Sequence, residues 1–490
     1  MRHVYRFLRS AGLVIGAVSL LAVGCAKKTE DGKMAITTSS EEARKEFLKG
    51  RELAENLRAT DAIEHFDKAI ALDPDFAMAY LNRSGVSGTA KEFFAYLKKA
   101  VALSGKVSEG ERLAILSTEA GANANTAGQK ELLDKLVTAC PKDERARLIM
   151  GGYYFGQQAY DKSIEQYKLS SELAPTYVPV YNILGYAYRQ VENFSEAEKA
   201  FRKYTELIPN DPNPHDSYAE LLLKMGKFDE SITHYQKALA VDPTFVASYS
   251  GMAMDYMQKG MPAEASASLK KLAEVARNEG EQRIALFGQT VLYADAGQLD
   301  LALQEVDKQA AMAEKSNDPA QLSVDLNNRG NILCEMGKHD EAAAAFEKAV
   351  AVAAGSDLSQ GVKNNVQLFG HFNAVTAALG KKDVKKARAE AEDFRKGAEA
   401  AKNPNQLRLA HDLAGAIALA EKDYGTAVSE LTQANQQNPA NLYRLGLAYQ
   451  GKGEKDKAKE FFAKAAHFNG LPGPNYAFVR MKATRMAAAS

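Results

Sequence analysis

The residues able to carry chemistry in this chain are few and dispersed. Among 490 residues there are three cysteines and eight histidines, and they do not cluster in the spacings that bind zinc. The sequence contains no G-x-x-x-x-G-K-[ST] phosphate loop and no H-E-x-x-H zinc pair. The stretch "SGVSGT" comes nearest to a G-x-S-x-G nucleophile motif, but Thr89 replaces its last glycine. We therefore predict a protein that is not an enzyme and that uses no cofactor, metal or small-molecule substrate.

Cys25 has the most informative surroundings of the three cysteines, and it could be a core thiol, a metal ligand or an attachment point. Arg2, Arg6 and Arg9 precede the uncharged run from Ala11 to Gly24, and Cys25 follows directly. A basic start, an apolar run of about 7–15 residues and small residues at its end are typical of a secretory signal peptide. The run is shorter than the roughly 20 residues of a membrane-spanning helix. A retained N-terminal anchor is the alternative.

The stretch "LAVGC", Leu21 to Cys25, resembles the lipobox of bacterial lipoproteins, although Ala22 stands where the family usually has Leu. The resemblance implies that Cys25 becomes the lipidated first residue of the mature protein. Two or three acyl chains hold a protein persistently at a membrane, whereas one holds it only marginally. Ala26, in place of Asp, implies the outer membrane. We expect a lipid-anchored protein of the bacterial cell envelope that faces the periplasm.

The composition and net charge of the chain indicate which kinds of molecule it is expected to bind. The chain has 62 Lys plus Arg and 62 Asp plus Glu, with 46% hydrophobic and 25% charged residues. This is the composition of a folded, soluble body. Because no excess of positive charge exists, nucleic acid is not expected as a partner.

The body of the chain is built from a repeat. Pro141, Pro175, Pro209 and Pro243 are each separated by 34 residues. Between them, apolar residues recur three or four apart in two stretches per unit, which predicts two amphipathic helices joined by a short turn. Each proline ends the second helix because it cannot continue the hydrogen-bond ladder.

The clearest unit, residues 178–211, resembles a tetratricopeptide repeat. The resemblance implies an all-α, right-handed superhelical solenoid of roughly twelve helix pairs, in which each pair packs only against its neighbours. Residues 76–139 and 355–403 fit the pattern poorly and are expected to hold irregular lengths. The residues that match the family pattern are Tyr181, Leu184, Gly185, Tyr188, Ala197, Phe201 and Pro209.

Four segments follow from these patterns. We predict a lipoprotein signal peptide over 1–24, a flexible tether with the lipidated cysteine over 25–40, the repeat array over 41–473 and a C-terminal capping helix over 474–490. The tether lacks helical periodicity. In the capping helix, the residues expected to cover the open end of the array are Tyr476, Phe478, Val479 and Met481.

In tetratricopeptide arrays the first helix of each pair lines a concave groove, and the resemblance implies that its non-packing residues bind partners. Asparagine amides can bond a peptide backbone, and Met and aromatic side chains adapt to apolar groups. The apolar members are packing residues instead if the assigned phase is wrong by one position. The predicted groove residues are Asn182, Tyr186, Arg189, Asp216, Glu220, Ser250, Met254, Met257, Phe287, Val291, Asn327, Asn331 and Glu335.

These features predict a non-catalytic scaffold that binds peptides or partner proteins in the groove, in envelope assembly or secretion. The alternative is a recruiter or regulator of a cell-wall or polysaccharide enzyme. Cys140 and Cys334 lie almost six repeats apart, so we expect isolated thiols there rather than a disulfide.

Overall fold

The computed structural model describes residues 32–470 and 473–489. Cys25, the predicted signal peptide and the first part of the predicted tether lie outside the described residues. Within those two ranges the regular secondary structure is helical and contains no strand. No helix in the described ranges has both the length and the apolar character needed to cross a membrane.

The helices follow one another with short turns. In chain order they are α1 (Glu41–Glu55), α2 (Ala59–Leu72), α3 (Ala77–Gly85), α4 (Ala90–Leu103), α5 (Glu109–Ala122), α6 (Thr126–Ala139), α7 (Glu144–Gly156), α8 (Tyr160–Leu173), α9 (Val178–Gln190), α10 (Phe194–Leu207), α11 (Asn213–Lys224), α12 (Phe228–Val241), α13 (Val246–Gln258), α14 (Pro262–Val275), α15 (Glu279–Asp295), α16 (Leu299–Lys315), α17 (Pro319–Glu335), α18 (His339–Ala354), α19 (Gln360–Gly380), α20 (Val384–Ala401), α21 (Pro404–Ala420), α22 (Tyr424–Gln433), α23 (Pro439–Gly451), α24 (Lys455–Ala466), α25 (Pro474–Ala477) and α26 (Arg480–Ala489).

The helices from α1 to α24 pack as consecutive pairs, α1 with α2 through α23 with α24. Taken two at a time, these 24 helices make twelve pairs in the described residues. The predicted all-α solenoid of roughly twelve helix pairs is therefore confirmed.

A glycine and an aromatic ring 16 residues later bring the two helices of a pair together. A Cβ at Gly185 would lie 2.6 Å from the ring of Phe201, and one at Gly446 would lie 2.5 Å from Phe462. No real Cβ approaches a neighbour so closely, so only glycine allows this packing. Ala197 is completely buried beside the same ring. The small and aromatic residues of the repeat pattern therefore pack as predicted.

The two poorly matching regions contain helices of unusual length. In the first region α3 has only nine residues. In the second, α19 has 21 residues and α20 has 18. At its N-terminal end α19 reaches another part of the coil, where Gly361 lies beside Asn123 of the third pair.

Successive coils of the solenoid touch, which corrects the expectation of contacts between neighbouring pairs alone. The second pair contacts the ninth, since the backbone N–H of Lys91 donates to Asp318 Oδ2 at 2.8 Å. The fourth pair contacts the eleventh, since Asn405 Nδ2 donates to the Gly156 carbonyl at 2.8 Å. Each contact joins the turn inside one pair to the start of a first helix seven pairs later. These bonds use turn and cap residues, which carry no hydrophobic pattern in the sequence.

The described end of the predicted tether is bound to the array instead of being free. Residues 33–39 run across the first four pairs, and carboxylates of those pairs accept their backbone N–H groups. Ionised carboxylates make strong acceptors for such bonds. The three bonds are Met34 to Asp143 at 2.9 Å, Thr37 to Glu111 at 2.7 Å and Ser39 to Asp73 at 2.9 Å.

The C-terminal segment, residues 473–489, differs from the single capping helix that the sequence predicts. It forms two helices, α25 and α26. Ala483 of α26 is buried against α24, so this helix does cover the last pair. By contrast, Tyr476 is buried against the middle of the array, and Met481, predicted to cover the open end, remains 40% exposed.

Candidate partner-binding groove

The predicted groove residues lie on the first helices of five consecutive pairs, α9, α11, α13, α15 and α17. Contacts join α9 to α11, α11 to α13 and α13 to α15, and residues of α15 and α17 line one small cavity, so the five helices form one continuous surface. We call this surface the groove face. Its polar half consists of the groove residues on α9 and α11, and its apolar half consists of Met254, Met257, Phe287 and Val291 on α13 and α15. Helix α17 continues the surface beyond the apolar half.

An ion pair between neighbouring first helices organises the polar half. Arg189 Nη1 of α9 lies 2.9 Å from Glu220 Oε2 of α11. The guanidinium also stacks 4.6 Å from the centre of the Tyr186 ring, a cation–π contact. The Tyr186 hydroxyl donates to Ser217 Oγ at 3.3 Å. Three predicted residues therefore meet in one cluster, with Arg189 and Glu220 retaining 15% and 14% side-chain exposure.

Two further predicted residues of the polar half, Asn182 and Asp216, are buried. Asp216 Oδ1 accepts a hydrogen bond from Ser248 Oγ of α13 at 2.6 Å. Burial raises the pKa of Asp216 well above its usual range, and repulsion from Glu220 adds to the effect. Within the described residues, the Asn182 Oδ1 atom has no hydrogen-bond partner. These two side chains support the surface from beneath and are not free for recognition.

Met254, Met257 and Phe287 of the apolar half belong to the largest buried cluster of the described residues. Met254 is completely buried, Met257 is 3% exposed and Phe287 is partly buried. The same cluster contains Tyr476 and Ala477 of the C-terminal segment. The chain's own C-terminal segment therefore packs against the apolar half, where α25 contacts α15 and Phe478 lies beside Phe287 and Val291.

Polar contacts fix the covering segment in place. The amide Nε2 of Gln258 on α13 donates to the Tyr476 hydroxyl. Arg480 Nε donates to Asp295 Oδ1 at 2.7 Å, and these two side chains retain only 14% and 7% exposure. Sequence reasoning missed Gln258 and Asp295 as surface-defining residues, although both follow predicted groove residues on the same helices.

The remaining predicted residues lie on α17. Asn327 Oδ1 accepts from Asn373 Nδ2 of α19 at 2.8 Å, and Asn331 is partly buried one turn later. Glu335, at the end of the same helix, forms an ion pair with Lys482 of the C-terminal segment. This helix therefore continues the surface from the covered part toward α19.

An amide-lined cavity of about 480 Å³ beside α19 was not predicted. Gln406 Nε2 donates to Asn365 Oδ1 at 2.9 Å at this cavity, while Gln406 Oε1 is buried without a partner among the described residues. The polar pattern "KNN" in α19 was the available signal, but the surrounding residues 355–403 did not fit the repeat. Other residues that line the cavity are Asn123, Gly361, Asn364, Gln367, Leu368 and His371.

Histidines of the array pair with glutamates 19 residues away. His371 Nδ1 lies 2.7 Å from Glu390 and His411 Nδ1 lies 2.7 Å from Glu430. Each of these two pairs links the two helices of one repeat unit. Across the described residues there is no group of three or more potential metal ligands.

Cys140 and Cys334 are free thiols. Burial raises the pKa of each thiol to about 11. Since the thiolate is the nucleophilic form, both groups are poor nucleophiles at neutral pH.

This geometry defines the class of the protein as an α-solenoid of helix pairs with a continuous first-helix surface. Three family models match the chain: "TPR repeat" over residues 219–271, "Tetratricopeptide repeat-like domain" over 246–370 and "Tetratricopeptide repeat" over 178–211 and 439–466. The chain is a tetratricopeptide-repeat protein.

Individual known proteins resemble parts of the chain. The peroxisomal targeting signal receptor of Kluyveromyces lactis is 28% identical over 120 residues, which cover 22% of this chain and 21% of the receptor. The chain thus matches about a fifth of that relative's length.

Solved structures show only a loose overall likeness. The MamA protein is 22% identical and covers 34% of this chain and 91% of its own, with a TM-score of 0.29. The Cut9–Hcn1 assembly of the APC/C is 14% identical and covers 91% of this chain and 79% of its own, with a TM-score of 0.42.

Proposed function

We propose that this protein is a non-catalytic scaffold that binds peptides or partner proteins along its groove face. The observation that carries the proposal is that the apolar half already holds a peptide segment, residues 473–482 of its own chain. This surface buries Tyr476 among apolar side chains and forms an ion pair with Arg480. Burial of aromatic side chains and charge pairing are interactions used in peptide recognition. The partially matching relative is named a targeting signal receptor, which supports peptide partners.

We further propose that the scaffold works in the bacterial cell envelope, lipid-anchored through Cys25 and placed at the outer membrane, facing the periplasm. The support is the basic start, the apolar run and the lipobox-like "LAVGC" of the sequence. The test is Cys25→Ser. We expect this variant to leave the membrane fraction and to change its electrophoretic mobility. Unchanged membrane binding and mobility would refute the anchor.

Partner identity within the envelope separates two versions of the proposal. The first version is a role in assembly or secretion, and the second is recruitment or regulation of a cell-wall or polysaccharide enzyme. A photo-crosslinking residue at Asn331 samples the groove face, and one at Arg202, which is 72% exposed on α10, is the matched outer-surface control.

We expect crosslinks from position 331 that are absent from position 202, followed by identification of the captured proteins by mass spectrometry. Assembly or secretion components favour the first version, and cell-wall or polysaccharide enzymes favour the second. Equal crosslinking from both positions contradicts partner binding at the groove face.

A further inference from the structure

We propose that residues 473–482 are an internal ligand of the groove face, and that a peptide with the same side-chain arrangement displaces it. The arrangement is an aromatic residue, a small residue, a second aromatic residue and an arginine two positions later. In this chain these are Tyr476, Ala477, Phe478 and Arg480. The inference rests on the proposed function and deepens it, because it names the chemical class of peptide that the groove face binds.

Four polar side chains form a row along the groove face. Lys224, Gln258, Asp295 and Glu335 are the last residues of α11, α13, α15 and α17. They therefore occupy the same place in four consecutive pairs, one side chain from each. We call these four residues the end row.

The end row contacts the C-terminal part of the chain in matching order. Lys224 Nζ donates to the Phe468 carbonyl at 2.8 Å, before the internal ligand begins. The next three members then contact the internal ligand itself, each through one residue. These contacts are Gln258 with Tyr476, Asp295 with Arg480 and Glu335 with Lys482. Because both orders run the same way, the end row determines the direction and register of the bound segment.

The acidic members of the end row favour a basic ligand. Asp295 and Glu335 end their helices, where the negative end of the helix dipole disfavours a carboxylate. Arg480 and Lys482 supply the compensating positive charges. A ligand without cations at these two places would leave Asp295, which is 7% exposed, without its partner.

The apolar contacts specify the two aromatic residues and the small residue between them. Tyr476 and Ala477 are each 3% exposed, so both side chains are enclosed by the array. Phe478 lines a small cavity together with Phe287 and Val291 of α15. Two aromatic anchors in desolvated surroundings are typical of high-energy recognition contacts.

The internal ligand is attached in a way that permits exchange. It follows the sequence "NGLP", residues 469–472, and α25 has only four residues. A tethered ligand competes at a high effective concentration. At any moment the internal ligand therefore leaves the groove face free in only a small fraction of the molecules. The apparent affinity of an external peptide is reduced in proportion to that fraction.

The test uses the full chain and a fluorescein-labelled peptide, NYAFVRMK, with the sequence of residues 475–482. Binding is measured by fluorescence anisotropy for the wild type and for the double variant Tyr476→Asp, Phe478→Asp, which releases the internal ligand. We expect the variant to bind at least about tenfold more tightly, because competition is removed. Met481→Asp is the matched control, since Met481 is 40% exposed, and it should bind like the wild type.

A charge exchange tests the register. In the released variant, Asp295→Arg should weaken NYAFVRMK binding by at least about tenfold, and the peptide NYAFVDMK should restore it. Circular dichroism and thermal unfolding check that each variant is folded. If the double variant does not fold, Arg480→Asp serves as the releasing change for the first comparison, since Arg480 retains 14% exposure. The charge exchange then uses Tyr476→Asp alone as the releasing change, because Arg480→Asp together with Asp295→Arg would re-form the pair within the chain.

The outcomes separate this inference from the proposed function. A folded, released variant that binds NYAFVRMK no better than the wild type overturns the internal ligand, even while crosslinks from position 331 persist. Tighter peptide binding without crosslinked envelope partners supports the internal ligand and contradicts the proposed function. Failure of NYAFVDMK to restore binding to Asp295→Arg contradicts the register.

Discussion

The polar and apolar halves of the groove face lie on successive first helices, but they are completed in different ways. In the polar half, Arg189 and Glu220 satisfy each other within the array. In the apolar half, Met254 and Met257 are buried together with a segment that arrives from the chain's end. Equivalent places in the repeat can therefore be completed either within the array or by a segment bound to it.

The largest effect is expected from truncating the apolar half. Met254→Ala removes a completely buried side chain, and we expect it to lower the free energy of unfolding by about 2–5 kcal/mol through lost burial and a cavity. Urea unfolding followed by circular dichroism measures this loss. Met481→Ala is the matched exposed change and should alter stability by no more than about 0.5 kcal/mol. Similar losses for both variants would contradict the buried position of Met254.

A smaller effect is expected from neutralising one ion pair in each half. Asp295→Asn leaves Arg480 without its charged partner in a nearly buried site, and we expect a loss of about 1–3 kcal/mol. Glu220→Gln removes the charge of Glu220 from the more exposed pair with Arg189. We expect it to lower the free energy of unfolding by at most about 1 kcal/mol. Urea titrations at low and high salt measure both. A larger loss of stability in Glu220→Gln than in Asp295→Asn would contradict the greater dependence of the apolar half on its ion pair.

Asp255, on α13 where the two halves meet, should make stability depend on pH. Ser231 Oγ lies 2.7 Å from Asp255 Oδ2 and 2.8 Å from the Ala219 carbonyl, but it has one proton to donate. A protonated Asp255 supplies the missing donor, and burial raises the pKa of Asp255 to about 8.

The sign of this dependence follows from linkage. An unfolded Asp has a pKa of about 3.9, so between about pH 4 and pH 8 the folded chain binds more protons and stability falls as pH rises. We expect Asp255→Asn to reduce the dependence of the urea midpoint on pH between pH 5 and pH 8, and Asp216, whose pKa burial also raises, to account for part of the remaining dependence. Asp229→Asn, with 85% side-chain exposure, is the control and should keep the wild-type slope. An unchanged slope in Asp255→Asn would show that this carboxyl is ionised in the folded chain.

A comparably small effect is expected at Tyr186 in the polar half. Tyr186→Phe removes a 3.3 Å hydrogen bond to Ser217 but keeps the edge contact with the Phe201 ring. We expect a loss of about 0.5–1.5 kcal/mol in the free energy of unfolding. Urea unfolding measures it, and Tyr181→Phe, whose hydroxyl bonds an exposed carbonyl of Pro175, is the control. If Tyr186→Phe lowered the free energy of unfolding as much as Met254→Ala does, the two halves would not differ in how much stability they contribute.

Much of the fold was predictable because the repeat is encoded locally. The glycine and aromatic residues 16 positions apart, such as Gly185 and Phe201, determine how the two helices of one pair approach. Helix starts were equally local, since Asn193 caps α10 through its own side chain. Such contacts need only residues within one unit, so a single sequence contains the full signal.

The candidate site was only partly predictable. The positions of Arg189, Glu220 and Met254 on first helices followed from the repeat phase, and the structure places them there. Their use did not follow, because Met254 is buried and Asp216 lies beneath the surface. Gln258 and Asp295 also escaped prediction, since a polar residue at a helix end has no distinctive local pattern.

The helix pairs, their approach and the face that the first helices present follow from the amino-acid sequence, because all three depend on contacts within or between adjacent units. What lies on that face depends on contacts between distant parts of the folded chain. Tyr476 meets Gln258 across 218 residues, and Lys91 meets Asp318 across 227. Hydrophobic periodicity tells which side of a helix is buried, but it does not specify which distant segment covers it.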